Sequence, residues 1–432
     1  MGSRFYLSRE RLMTRDHGGY IWMKRRAVNG IKYWGQLLLL PVYWLSFLMP
    51  RDKNIWLFGS TFGRRFSENP RYLYLYACQH RAENGLRPIW ISHNKEVVRF
   101  LKANGYEAYE YHSLKGIWYA LRAKVYIFDN YSKDINFWQS GGAVKVNLWH
   151  GSGNKRTNYD NRFDTVRHPK NLWERWKTFP RRLSDEKPDH YTLATSPAMK
   201  EIFISAFHTD EKHIIVEGYP RNDILFPFEE CQIRNLYTKE ERELLKLISA
   251  RRKSGCRILT YMPTFRESET KLLTVLNPAA LDRFLEKEKL FLVMKLHPKS
   301  KIKKELEKLH YRNIVNADAE IDVYSFLGES DLLITDYSSV YTDFMLLDRP
   351  VLAFCYDWEE YTEHTRECYI DQDEYMPERK ATTMEELMEG ICEVLKEDTH
   401  KEQRHVSRRR MFAKTDGRSC ERLIRKIKEI RK

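Results

Sequence analysis

Leu332-Leu333-Ile334-Thr335-Asp336-Tyr337-Ser338-Ser339-Val340 reads as an apolar strand running straight into a hydroxyl-rich turn, with a helix opening over 340–347. Hydroxyls and backbone N–H groups at the positive end of a helix favour phosphate or pyrophosphate. Upstream, 291–296 is a second apolar strand, and it ends in His297-Pro298-Lys299. Two strand ends in one half of the chain thus carry groups suited to an anionic leaving group. That combination points to a nucleotide-diphosphate transferase rather than to a binding module.

Working outward, short apolar strands alternate with helices along most of the chain. Strands are expected over 54–58, 88–92, 125–129, 144–149, 191–195 and 214–217, with helices over 70–82 and 95–104. The polar stretch 227–241 lacks strand signals and marks a hinge. A second alternation follows over 257–261, 291–296, 313–315, 332–335 and 351–354, closed by helices over 385–396 and 420–431. This pattern predicts parallel sheets covered on both faces. The expected fold class is therefore α/β: two doubly wound domains facing across a cleft, with ligands beyond the carboxyl ends of the strands. The divisions are 1–50, 51–226 and 227–432.

The chain has 432 residues, 74 Lys+Arg against 60 Asp+Glu and 13% aromatic content. A basic, aromatic-rich surface suits phosphorylated substrates, nucleic acid or an anionic membrane. No zinc-finger spacing, RNA-binding sheet motif or heptad-plus-basic region is present, which speaks against nucleic acid. Seven cysteines without paired spacing argue against a disulfide framework or a zinc site. The apolar run 37–49 contains Pro41, is flanked by Lys24-Arg25-Arg26 and Arg51-Asp52-Lys53, and is shorter than the ~20 residues of a membrane span. It reads as a buried helix or as an interfacial, membrane-associating one. Trp173, Trp176 and Phe179 among Arg and Lys over 171–183 make a second membrane-contact candidate, or a helix packed on the solvent side.

Six constellations carry candidate chemistry. The strand 144–149 delivers His150-Gly151, where a histidine would take a proton from an attacking hydroxyl and glycine permits close approach. Lys155 adds a charge nearby. His297 and Lys299 would stabilise charge building on a departing phosphate; His168-Pro169-Lys170 repeats that tripeptide without a preceding apolar strand, so it counts as loop composition. Thr335, Ser338 and Ser339 suit phosphate, whereas Asp336 would repel it and is expected to orient a neighbouring His or Arg or to cap the helix. Asp343 lies one turn on. Gly218-Tyr219-Pro220-Arg221-Asn222-Asp223 offers Arg221 as an anion clamp, and Met262-Pro263-Thr264-Phe265-Arg266 places Thr264 and Arg266 at the cleft. Asp416-Gly417-Arg418-Ser419 precedes the last helix. With no Asp-x-Asp pair, no His-Glu-x-x-His and no Walker glycine loop, no tightly bound metal or other cofactor is expected.

Together, Trp149-His150-Gly151, the run 218–223, Pro263-Thr264-Phe265-Arg266, His297-Pro298-Lys299, the run 334–343, Arg349-Pro350-Val351 and Asp416-Gly417 resemble the CDP-glycerol glycerophosphotransferase family, the primases and polymerases of teichoic acid. The resemblance implies a GT-B-like fold with an acceptor domain followed by a nucleotide-donor domain, attached peripherally to the cytoplasmic face of the membrane. It implies transfer of glycerol phosphate from CDP-glycerol, or ribitol phosphate from CDP-ribitol, to a lipid-linked glycan acceptor. A GT-B glycosyltransferase using a nucleotide sugar is the alternative. By the same analogy His150 is the base, and His297 stabilises the diphosphate as CMP leaves. Thr335, Ser338 and Ser339 hold the phosphates; Gly151, Lys155, Arg221, Asp223, Thr264, Arg266, Lys299, Asp336, Asp343, Asp416 and Arg418 are further candidate substrate contacts. After Trp149-His150-Gly151 the family commonly continues Thr-Pro-Leu-Lys, whereas Ser152-Gly153-Asn154-Lys155 stands here.

Overall fold

The apolar runs fold into two all-parallel sheets. The structure is a computed structural model that describes residues 33–185, 190–264, 266, 270–296, 300, 311–358 and 367–430. The first sheet comprises β1 (Asp52–Phe58), β2 (Arg87–Ser92), β3 (Ala108–Glu110), β4 (Ala123–Phe128), β5 (Val144–Asn147), β6 (Tyr191–Ala194) and β7 (Ile214–Val216), in the order β3-β2-β1-β4-β5-β6-β7. The second comprises β8 (Arg257–Met262), β9 (Leu290–Met294), β10 (Ile314–Asn316), β11 (Leu332–Thr335), β12 (Val351–Phe354) and β13 (Arg379–Ala381), in the order β10-β9-β8-β11-β12-β13. Every residue of β9, β11 and β12 is buried, as helices on both faces of a parallel sheet require. With helices flanking both sheets, this is a GT-B-like twin-Rossmann arrangement. Strand order reverses between β1 and β4 and again between β8 and β11, and those reversals open the crevices in which such sheets bind ligands.

Several local features depart from the expected pattern. The apolar run near the N-terminus is not one helix: Gln36–Leu39 and Ser46–Leu48 are 3-10 turns flanking a short α-helix, Leu40–Leu45. Pro41 sits in the first turn of that helix, where its missing N–H costs nothing. Among the described residues no helix is long and apolar enough to cross a membrane; residues 1–32 lie outside them. The helix opened by Val340 stays α only through Phe344, then tightens to 3-10 over Met345–Leu347. The strand expected over 144–149 stops at Asn147. Edge strands β3 and β13, three residues each, were not anticipated.

The final helix, Ser419–Ile430, packs on the helices Glu68–Gln79 and Pro220–Asp223, in the first half of the chain. Asp223 holds it there, its carboxylate accepting from the Ser419 and Cys420 N–H groups at 3.0 and 2.7 Å. A Cβ on Gly218 would stand 2.2 Å from Ser419 Oγ, so a larger residue there would have to displace that serine.

Candidate active site

Where β5 ends, the Asn147 side chain accepts from Trp149 N–H at 2.8 Å and donates to the Asn130 carbonyl at 3.0 Å. Trp149 then adopts a left-handed backbone, φ 52°, with its indole edge-on to Phe207 at 4.9 Å. That turn swings His150 outward into a cavity of about 460 Å³ lined by both halves of the chain. His150 Nδ1 lies 3.1 Å from the Asp129 carbonyl. A carbonyl only accepts, so Nδ1 carries the proton and Nε2 is the basic nitrogen.

Asp129 is itself buried against Asp134. It accepts from Ser60 Oγ at 3.0 Å and Thr61 N–H at 2.9 Å, while Asp134 accepts from Phe62 and Asn130 N–H groups at 2.8 and 2.9 Å. Burial, reinforced by the Asp134 carboxylate, pushes Asp129 up to about 8; burial raises Asp134 to about 6. The two share a proton near neutrality and tie the loops after β1 and β4 together beneath His150.

The opposite wall comes from the second sheet. Ser338 and Ser339 follow β11, Thr264 follows β8, and all three line the cavity with Gly151 and Lys155. Ser339 presses so closely on the histidine loop that a Cβ on Gly151 would lie 3.0 Å from its hydroxyl. Thr342 Oγ1 donates to the Ser152 carbonyl at 2.9 Å, and Asn154 exchanges hydrogen bonds with Ile370. The Ser152-Gly153-Asn154-Lys155 loop is therefore a seam between the two halves.

The charged residues expected at the substrate are mostly committed to one another. Arg221 Nη2 donates to Asp343 Oδ2 at 2.6 Å and Nη1 to the His150 carbonyl at 2.9 Å; Nη1 also pairs with Glu68. Asn222 and Tyr324 donate to the same Asp343 carboxylate. Asp336 accepts from Thr264 N–H and Oγ1 at 2.8 and 2.7 Å and pairs with Arg266 at 2.7 Å; Arg266 makes a second, bidentate pair with Asp357. Thr335 Oγ1 donates to the Met262 carbonyl. Asp223 caps the last helix. Asp416 and Arg418 are exposed at its start, with Asp416 bound to Arg422. Hence Arg221, Asp343, Asp336, Arg266 and Thr335 frame the site without lining it, while Asp223, Asp416 and Arg418 belong to a separate joint. His297 and Lys299 lie outside the described residues.

Two cavity cations escaped sequence reading. Arg65, after β1, pairs with Glu320 at 3.0 Å. Lys295, immediately after β9, is buried with its ammonium on the Asp318 carbonyl. A lysine closing an apolar run carries no signal of its own. Among the described residues no group of three or more His, Cys, Asp or Glu is placed to hold a metal ion.

Residues 42–429 match the family model described as CDP-Glycerol:Poly(glycerophosphate) glycerophosphotransferase. The chain is 28% identical over 369 residues to a teichoic acid poly(glycerol phosphate) polymerase of Bacillus spizizenii, covering 82% of this chain and 88% of that protein. It is 24% identical over 405 residues to a teichoic acid glycerol-phosphate transferase of Staphylococcus aureus, covering 87% and 93%. Its fold is similar to the solved structure of the wall teichoic acid polymerase TagF, with TM-score 0.68, 22% identity and coverage of 95% and 98%. With a family match spanning nearly its whole length, the chain belongs to the CDP-glycerol:poly(glycerophosphate) glycerophosphotransferase family.

Proposed function

We propose that the chain transfers glycerol phosphate from CDP-glycerol to a hydroxyl of a membrane-linked glycan or polyol-phosphate acceptor, releasing CMP. The observation that carries this reading is a basic imidazole nitrogen on one wall of a cavity whose other wall presents Thr264, Ser338 and Ser339. In this reading the acceptor oxygen attacks the phosphorus bearing glycerol, and His150 Nε2 takes its proton. The phosphoanhydride bond to CMP breaks, in line with the new bond. Such a displacement asks for placement and charge stabilisation rather than covalent work by the protein. Residues 51–226 form the acceptor side and 227–432 the donor side.

The acceptor's lipid anchor calls for a membrane-facing surface, and we place this chain there as a peripheral protein of the cytoplasmic side. The two membrane-contact candidates meet in space: Trp34 stacks on Trp176 at 4.3 Å, and Trp176 on Trp173 at 5.1 Å. Leu38, Trp44, Leu45 and Leu48 on the first segment and Leu172 on the second are exposed, in the manner of an interfacial rather than a spanning element.

One assay tests the reading. The purified chain is incubated with CDP-glycerol, CDP-ribitol or a UDP-sugar and a synthetic lipid-linked acceptor, and the products are weighed. A gain of one or more glycerol phosphates with CMP release is the expected result. Ribitol phosphate addition would correct the donor, and sugar addition would overturn the reaction class.

A further inference from the structure

The buried arginines around the cleft each carry a carboxylate. Arg71 has Glu241, Arg221 has Asp343, and Arg266 has Asp336 and Asp357. Lys295 differs. It is buried to 9% exposure on the cavity wall, and its described ammonium partner is a neutral group, the Asp318 carbonyl. Among the described residues no carboxylate forms an ion pair with that ammonium; a buried charge so placed is costly, and an arriving anion relieves that cost. Across the cavity Arg65 grips the same loop through the Ala319 carbonyl and Glu320. Two like charges from opposite halves of the chain thus converge on one loop beside an open cavity.

We infer that Lys295 is a ligand of the donor's diphosphate, with Arg65 supplying a second positive charge from the facing domain. The inference rests on the transferase reading and deepens it. Thr264, Ser338 and Ser339 offer hydroxyls from the same wall but no charge, so the dianionic diphosphate takes its compensation from Lys295. Arg71, Arg221 and Arg266 are held by enclosed carboxylates, whereas Arg65 pairs with the exposed Glu320 and Lys295 with a backbone carbonyl, so these two cations keep charge for the substrate.

The electrostatics gives the inference a distinctive signature. Burial first, and then repulsion from Arg65, brings Lys295 down to about 8, against the opposing pull of Asp322, Asp318 and Glu320. The free enzyme therefore loses this charge as pH rises through that value. Bound diphosphate would hold the proton on, so donor affinity falls with rising pH, by at most about tenfold per pH unit above the free value.

Calorimetric titration of the full-length chain with CDP-glycerol between pH 7 and 9.5 tests this, because a diphosphodiester does not itself titrate there. In the wild type the Kd rises with pH. Lys295→Arg, which stays charged, retains binding with a flat profile. Lys295→Met, close in volume, binds about tenfold or more weakly at pH 7 and also shows a flat profile. Thermal melts confirm that both variants are folded. Wild-type-like affinity and pH dependence in Lys295→Met would overturn the assignment. So would unchanged donor binding with a raised KM for the acceptor, which would place an acceptor phosphate at this lysine. Failure of the transferase reading is separately visible as no turnover of CDP-glycerol by the wild type.

Discussion

Arg221 Nη2 and Asp343 Oδ2 meet at 2.6 Å with both side chains almost fully buried, and they come from opposite halves of the chain. The same guanidinium donates to the His150 carbonyl. One buried pair therefore joins the two halves and fixes the backbone of the candidate base. A cation so enclosed is a structural pin, not an anion receptor, because both of its terminal nitrogens are already directed at oxygen atoms of the protein.

Removing one member takes from the other its principal buried counter-charge. Arg221→Met should destabilise the chain by about 3–5 kcal/mol, the usual cost of an unpaired buried charge. Asp343→Leu should cost a similar amount, and the double variant should recover much of the loss. Urea or thermal unfolding of the three variants checks this; additive losses would show that the two residues act independently.

His150→Ala should lower turnover by about 10²-fold or more, as expected for loss of a general base. His150 is exposed to the cavity, so its removal should leave the melting temperature nearly unchanged. Affinity for CDP-glycerol should also persist, since the histidine acts on the acceptor hydroxyl. Steady-state assays with donor and acceptor varied in turn separate these effects.

The histidine was readable in the sequence because an apolar strand runs directly into His-Gly, and both sheets were readable from their apolar runs. Arg221 shows the limit. Its charge is plain in the sequence, but Asp343 lies 122 residues away, and only the folded chain shows that the charge is already neutralised. Lys295 was missed for the opposite reason: it looks like the end of a strand until folding sets Arg65 and the Asp318 loop around it. The short edge strands Ala108–Glu110 and Arg379–Ala381 are too brief and too polar to give a periodic signal.

The buried acid pair beneath His150 predicts a pH dependence of stability. Asp129, at about 8, and Asp134, at about 6, both lie above the ~3.9 of an unfolded aspartate. Between about pH 4 and 8 the folded chain holds more protons than the unfolded one, so stability falls as pH rises through that window. Asp129→Asn should relieve the penalty, since its amide donates to Asp134 as the protonated acid does. The variant should melt above the wild type at pH 8, by an amount worth on the order of 1 kcal/mol or more, and the difference should vanish toward pH 4. Scanning calorimetry across that range measures it; a variant less stable at pH 8 would place the shared proton elsewhere.

The tryptophan stack yields the remaining prediction. Trp34, Trp176 and Trp173 join the N-terminal apolar segment to the helix Leu172–Asp185, whose Lys177 carbonyl also accepts from Tyr33 Oη at 3.1 Å. Exposed Lys170, Arg175, Lys177 and Arg181 lie on the same segment as two of the rings. Apolar rings among cations suit the boundary between headgroup and acyl chain of an anionic bilayer. Burying one large side chain there contributes about 1.5–3 kcal/mol, so Trp173→Glu should weaken cosedimentation with anionic vesicles by about tenfold or more. Raising the salt should weaken the wild type too, through its cations. Trp173 lies outside the cavity, so turnover of a water-soluble acceptor analogue should stay at the wild-type level while turnover of a bilayer-embedded acceptor falls. Equal loss on both acceptors would mean that the helix supports the fold rather than the membrane contact.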